Sequence, residues 1–208
     1  MRAIHCFLGM ATALVLAAPP VGHAEGTPGE TVKDTIATVM TILNDPMYRE
    51  PGMSDARRVA LETVVRRSVS YREMARRTLG VTWMVLSEPE RQRFSDLFVQ
   101  VLRDAVASRM NVYTETTVLF LGEQREGNFA EVRTLFRGYK NDTAVDVRLV
   151  NQSGRWLMYD AVIDGVRLVD NYRSQFVHVM KEAAYAGLVG RLEAMILLPK
   201  TFERTVAR

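Results

Sequence analysis

The sequence predicts an α+β protein in which helices pack on a curved antiparallel sheet. Three observations predict it. Apolar residues recur at helical spacing through the first half of the chain. Four strand-like segments then follow one another across short turn-forming links. Helical spacing returns after them and runs up to Pro199. Helices, then a meander, then helices is an α+β order, distinct from alternating βαβ units.

The first element is a processing signal. Arg2 supplies a positive start, Phe7 to Ala18 is an apolar run, and Pro19 and Pro20 break it. Gly22-His23-Ala24 places small residues before a cleavage point between Ala24 and Glu25. The apolar run falls short of the roughly 20 residues that a membrane span needs. Residues 1–24 therefore read as a signal peptide. Cys6 precedes the apolar run, so it is no lipid-attachment cysteine, and the chain should be released.

The exported part reads as a single domain over 25–198, helical at 31–113, sheet at 116–169 and helical at 171–198, with 199–208 an exposed tail. Residues 25–30 read as a flexible start. Thr31 to Leu43 carries Val32, Ile36, Val39, Met40 and Leu43 on one helical face. Asn44 to Gly52 is a loop with two prolines. Ser54 can cap a helix running to Ser68, and Tyr71 to Leu79 is a short helix stopped by Gly80. Ser87-Glu88-Pro89-Glu90 fits a capping box opening the longest helix, whose apolar face runs from Phe94 to Tyr113. That helix spans roughly 40 Å at about 1.5 Å per residue.

Strands read at Thr116–Leu121, Glu131–Tyr139, Thr143–Val150 and Arg155–Ile163, with hairpin links at 122–128, 140–142 and 151–154. Val166–Val169 is a short extended piece after Gly165. Asn171–Ala184 is helical, and Gly187 separates it from Leu188–Leu198.

Composition excludes several chemistries. The full chain has 48% hydrophobic and 25% charged residues and a formal charge of +3, too small an excess to imply nucleic acid. Mean hydropathy of -0.05 rules out many membrane spans. Loss of residues 1–24 removes His5, His23 and Cys6, so His178 is the last histidine and no cysteine remains. Zinc sites rich in Cys or His, and a Cys nucleophile, are thereby excluded. No G-x-S-x-G elbow presents a serine, and no glycine-rich nucleotide loop occurs. His178 reads as a partly buried packing residue.

One feature suggests a ligand. A sheet with one face in water should alternate apolar and polar residues. In Thr116–Leu121, Val118 and Phe120 point one way, while Leu119 and Leu121 point the other. In Arg155–Ile163, Trp156, Met158 and Val162 share one face and Leu157, Tyr159, Ala161 and Ile163 the other. Both faces want cover. Helices can supply it, or an apolar cavity can hold a lipophilic ligand.

Asp160 and Asp164 invite a carboxylate-pair reading. A continuous strand would separate them by roughly 13 Å, beyond the about 5–9.5 Å of glycosidase pairs. A structural role fits better: Asp160 bonding nearby backbone, Asp164-Gly165 making a turn. Arg57, Arg58, Arg66, Arg67, Arg72, Arg76 and Arg77 cluster early, against Asp55, Glu62 and Glu73. They read as a solvated helical face, or as a surface for anionic headgroups or an acidic partner.

Three segments together resemble a known family. Met74-Ala75-Arg76-Arg77-Thr78-Leu79-Gly80, with Trp83, leads into Gln92-Arg93-Phe94 and Phe98. Trp156, Tyr159 and Asp160 follow the meander, and Asp164-Gly165-Val166-Arg167-Leu168-Val169 leads into Asn171-Tyr172-Arg173-Ser174-Gln175-Phe176. Their order and spacing resemble the MlaC, or toluene-tolerance, family of periplasmic phospholipid-binding proteins. The resemblance spans roughly residues 31–198 and departs at Arg167, where the family usually has serine.

The resemblance implies an NTF2-like curved sheet with a helical lobe. It implies a periplasmic carrier that shuttles phospholipid between an inner-membrane ABC-type transporter complex and an outer-membrane lipoprotein complex. Phospholipid is then cargo, with no cofactor, no metal, no nucleic acid and no catalytic residue. Joined to the apolar strand and helix positions, the motifs give the lipid-facing candidates Trp83, Leu97, Val101, Val118, Phe120, Val147, Leu149, Trp156, Met158, Val166, Tyr172 and Phe176. Each could equally be plain core. Arg173 could meet a phosphate through its planar fork, or pair with Asp160 or Asp170. A carrier of another lipid such as a hopanoid, an NTF2-like enzyme using Asp160 or Asp164 as base on a hydrophobic molecule, and a ligand-free interaction module are the competing readings.

Overall fold

The computed structural model describes residues 26–107, 116–138 and 141–197. The signal peptide read over 1–24, the end of the long helix at 108–113, Leu198 and the tail 199–208 lie outside them.

Helix α1 is Pro28–Asn44. It begins earlier than the apolar spacing suggests because Thr27 and Glu30 form a capping box: Thr27 Oγ1 accepts the Glu30 N–H at 3.1 Å, and Glu30 Oε2 accepts the Thr27 N–H at 2.6 Å. Pro28 occupies the first turn, where its missing N–H costs nothing. A 3-10 turn at Pro46–Arg49 follows, opened by the Asp45 carboxylate accepting the Met47 N–H. Helix α2 is Ser54–Ser68. Met53, not Ser54, is its cap residue, and no side chain caps it.

Helix α3 is Tyr71–Leu79, and a further one-turn helix, α4, is Val81–Val85. Gly80 joins them at φ 58°, a conformation that disfavours any residue with a Cβ. Helix α5 is Glu88–Ala107. Half of the expected capping box is present at its start. The Glu90 carboxylate accepts both the Ser87 N–H at 2.8 Å and the Ser87 hydroxyl at 2.6 Å.

Five strands follow: β1 Thr117–Glu126, β2 Phe129–Arg137, β3 Asp142–Gln152, β4 Arg155–Ile163 and β5 Val166–Arg167. They form one antiparallel sheet in the order β1-β2-β3-β4-β5. This corrects the NTF2-like curved antiparallel sheet that the resemblance implied. The sheet is open, neither curled nor closed on itself. Every link is a hairpin, so each strand pairs only with its sequence neighbours. β5 is two residues long and passes straight into a helix, so nothing brings the last strand round to the first.

Two bulges set the register. One lies between Phe120 and Gly122. At the other, Leu149 pairs with Met158 and Arg148 with Asp160, which leaves Tyr159 as the extra residue. That bulge overturns simple alternation along β4. Trp156 and Met158 share their face with Ala161 and Ile163, opposite Val147 and Val145, and Val162 turns to the other side.

Helix α6, Leu168–Leu197, is broken at Ala183 and Ala184 rather than at Gly187. Ala184 sits at φ 54°, ψ -169°, a region essentially restricted to glycine. Gly187 has a different task, since a Cβ there would lie 2.2 Å from the Ala183 methyl. Ala184→Gly is expected to stabilise the protein by about 1 kcal/mol, relief of strain outweighing glycine's entropy cost. Urea titration of the variant measures it; a lowered midpoint would contradict the strain.

The buried apolar residues form two clusters. One is helical and holds Met74, Leu79, Trp83, Phe94, Phe98, Val101, Phe176, Leu188 and Leu192 among others. The second lies between α1 and the sheet: Val32, Ala130, Val132, Val147, Leu149 and Trp156. The chain makes an α+β fold with a core on each side of its middle.

Candidate functional site

The sheet face beneath α1 is the apolar one. Strand pairing puts Val118 opposite Phe136, Phe120 opposite Thr134, Val145 opposite both Thr134 and Ile163, and Val147 opposite Val132 and Ala161. All of these stand on one face, together with Leu149, Met158 and Trp156. The sheet candidates Val118, Phe120, Val147, Leu149, Trp156 and Met158 are thus brought to a single surface.

Cover over that surface is uneven. At the hairpin end joining β3 to β4, Val32 of α1 seals Val132, Val147, Leu149 and Trp156, and Arg125 stacks on Trp156 at 4.9 Å. Towards the other end, Val118, Phe120, Phe136 and Val145 are only half-buried, and Ile163 is exposed. Lys33 lies 5.3 Å from the Phe120 ring. Among the described residues, an apolar strip therefore runs out from beneath α1, interrupted on its own face by the threonines Thr134 and Thr143.

The helical candidates belong to the other cluster. Trp83, Val101 and Phe176 are buried there, with Leu97 and Tyr172 packed against it. Phe98 stacks on Phe94 at 5.8 Å and meets Tyr172 and Phe176 edge-on at 5.1 and 5.5 Å. Trp83 lies between two guanidiniums, Arg72 at 5.3 Å and Arg91 at 5.6 Å. Val166 stands apart, exposed on β5. Arg173 is exposed too, its guanidinium laid against Gly80. It is Arg167, not Arg173, that pairs with Asp160 at 3.2 Å and Asp170 at 2.7 Å.

Sequence reasoning missed Val32, Ile36, Phe136 and Val145 as members of the apolar face. The helical spacing of α1 and the alternation Val132-Thr134-Phe136 carried the signal, and the bulges hid which strands shared it.

The carboxylates are occupied. Asp160 is fully buried; its Oδ1 accepts the Ala161 N–H at 2.9 Å and the Val169 N–H at 3.0 Å, which caps α6. Asp164 accepts the Ala144 N–H at 2.9 Å and turns with Gly165, both at positive φ. Burial, then the charge of Glu131, raises the Asp146 carboxyl, but Asp146 stands on the opposite sheet face, in line with Arg133 and Val162.

The early arginines are largely paired. Arg58 meets Asp55, Arg66 meets Glu62, Arg72 meets Glu88, and Arg76 and Arg77 share Glu73. Burial works to raise the Glu73 carboxyl, yet Arg76 and Arg77 outweigh it and hold it below the usual range. Arg77 also lies 4.1 Å over the Tyr159 ring. Nearby, burial and the charge of Glu62 push the Tyr71 phenol up to about 12. His178 is exposed and faces Glu182 at 3.4 Å, so it is not the packing residue expected.

A recess of about 230 Å³ opens on the far face, lined by Gln124, Phe129, Glu131, Arg148 and Tyr159 among others. Arg148 and Glu131 close on each other across it at 2.9 Å. Among the described residues, no group of three or more His, Cys, Asp or Glu side chains could hold a metal ion. No helix among them is long and apolar enough to cross a membrane.

A solved phospholipid-binding protein of Ralstonia solanacearum, in complex with a phospholipid, has a similar fold. Its TM-score is 0.74 at 22% identity, covering 83% of this chain and 98% of that one. No curated protein matches. The family model described as MlaC protein matches residues 33–194, more than half of the chain and a span that takes in the buried members of both clusters except Val32, so the protein belongs to the MlaC family.

Proposed function

We propose that this protein is a periplasmic phospholipid carrier, exported by residues 1–24. It moves its cargo between an inner-membrane ABC-type transporter complex and an outer-membrane lipoprotein complex. The observation that carries this reading is the half-covered apolar strip. Val118, Phe120, Phe136 and Val145 present apolar surface beside a closed core, where an acyl chain can replace water. Membership of the MlaC family and the phospholipid held by the Ralstonia protein support it.

The physics of transfer fits a carrier without chemistry. Each buried methylene is worth about 0.8 kcal/mol, so two long acyl chains cost on the order of 20 kcal/mol to expose to water. The carrier must match the bilayer's environment closely enough to accept the lipid and loosely enough to release it. Energy for direction would come from a partner. Asp160 and Asp164 serve as backbone acceptors, and Asp160 as an arginine partner. The acyl chains run along the strip, on the sheet face beneath α1, while Trp83, Leu97, Val101, Tyr172 and Phe176 belong to the separate helical core.

Native mass spectrometry of the purified protein, with organic extraction of what co-purifies, tests this. A stoichiometric phospholipid that is lost in Phe120→Asp is the expected result. A different lipid, such as a hopanoid, would keep the carrier and change the cargo. A protein that stays empty after incubation with phospholipid vesicles would overturn the proposal.

A further inference from the structure

Helix α4 is apolar on the wrong side for a core element. Trp83 alone of its large side chains is buried, while Val81, Met84 and Val85 are 77%, 77% and 82% exposed. Three such side chains on one turn form a contiguous patch, which marks an interaction surface rather than scattered exposure. The turn is held rigidly. Trp83 anchors it between Arg72 and Arg91. Arg91 donates to the carbonyls of Trp83 at 2.9 Å and Met84 at 3.2 Å, satisfying the end of the helix. Gly80 lets the chain turn outward at its start.

The rim is basic. Arg173 lies against Gly80, where a Cβ would come within 2.8 Å of its Nη2. Arg91 closes the other end, Arg72 lies over Trp83, and Arg76 sits one turn before Gly80. The acidic groups facing them are Glu73 and Glu88, which pair with Arg76 and Arg72, and Glu88 also lies 3.6 Å from Arg91. Arginines outnumber carboxylates around the patch, and Arg173 is an exposed residue.

We propose that α4 is a docking tip for an anionic bilayer, in which Val81, Met84 and Val85 enter the headgroup boundary and the arginine rim meets lipid phosphates. Apolar insertion combined with basic charge is the pairing that gives stable but reversible attachment to such surfaces. A single helical turn offers far less area than the about 800 Å² per partner that a stable protein interface buries. A bilayer needs no such area and no complementary groove. The inference does not depend on which cargo the sheet carries. It places the protein's approach to a membrane at the α3–α4 corner, on the helical side.

Vesicle co-sedimentation tests it. The purified protein is mixed with vesicles of phosphatidylcholine alone or with phosphatidylglycerol added. Binding is expected to the anionic vesicles and to weaken with salt. The triple variant V81S/M84S/V85S should bind roughly tenfold more weakly or worse, with an unchanged circular dichroism spectrum and unchanged co-purified lipid. Arg173→Ala should weaken binding without abolishing it. A wild-type protein that ignores anionic vesicles, or a triple variant that binds them equally well, would overturn the proposal. So would a wild-type dimer dissolved by the triple variant without vesicle binding, which would assign the patch to self-association.

Discussion

Phe98→Ala should lower the stability of the protein by about 4 kcal/mol, near the upper end for an aromatic removed from a core. Phe98 is 1% exposed and touches three aromatic rings, one from its own helix and two from α6. Edge-on and stacked contacts of this kind add about 0.5–1.5 kcal/mol beyond area burial. The truncation leaves a hole at the joint of α5 and α6, where the neighbours are themselves large rings that cannot all shift inward. Phe98→Leu, which refills part of the volume, should cost clearly less. Urea unfolding followed by tryptophan fluorescence measures both. Equal losses in the two variants would mean that refilling the volume gains nothing and that the lost ring contacts carry the whole effect.

The second large effect is expected at Asp160. Asp160→Asn should cost about 3 kcal/mol, the range for breaking a buried charged pair by removing one partner. The carboxylate accepts the Val169 and Ala161 N–H groups and, at 3.2–3.3 Å, two nitrogens of Arg167. An amide keeps the shape but turns its NH2 towards either the backbone donors or the guanidinium, so one contact becomes a clash of donors. Arg167→Ser should cost less, because Arg167 is 35% exposed and water can replace it, whereas Asp160 is fully enclosed. Chemical denaturation of the two variants gives the comparison. A larger loss for Arg167→Ser would show that the ion pair, and not the cap on α6, is what Asp160 provides.

Much of the fold was legible because local signals agreed with the final packing. Val32 to Leu43, Tyr71 to Leu79 and Phe94 to Val101 show helical spacing and bury those faces. Ser153-Gly154 and Asp164-Gly165 mark hairpin turns, and they turn there at positive φ. The misses have physical causes. Glu123, Gln124, Arg125 and Glu126 look like loop residues, yet they extend β1. Glu123 binds the Gly29 N–H at 2.7 Å, and Arg125 covers Trp156. Val81 to Val85 lacks a second turn, so no periodicity announces α4. The candidate site was half legible. Alternation gave the apolar strand residues, but the extra residue at Tyr159 changes which of them share a face, and no sequence pattern counts a bulge. Whether a sheet is open or curled depends on distant strand pairing, and there the resemblance misled.

The open meander has a cost among other chains. Its first strand, β1, lies at the margin of the sheet, and the outer rail of backbone donors and acceptors there is a template on which a stray strand could grow. The chain answers this along β1 itself. Val118, Leu119, Phe120 and Leu121 make the adhesive half, and the bulge at Gly122, with φ 147°, breaks the rail immediately after them. Beyond the bulge come Glu123, Arg125 and Glu126, whose charges repel an incoming neighbour. A protein with half-covered apolar strand surface thus carries its own guard against polymerising through that edge, built from one glycine and three charges.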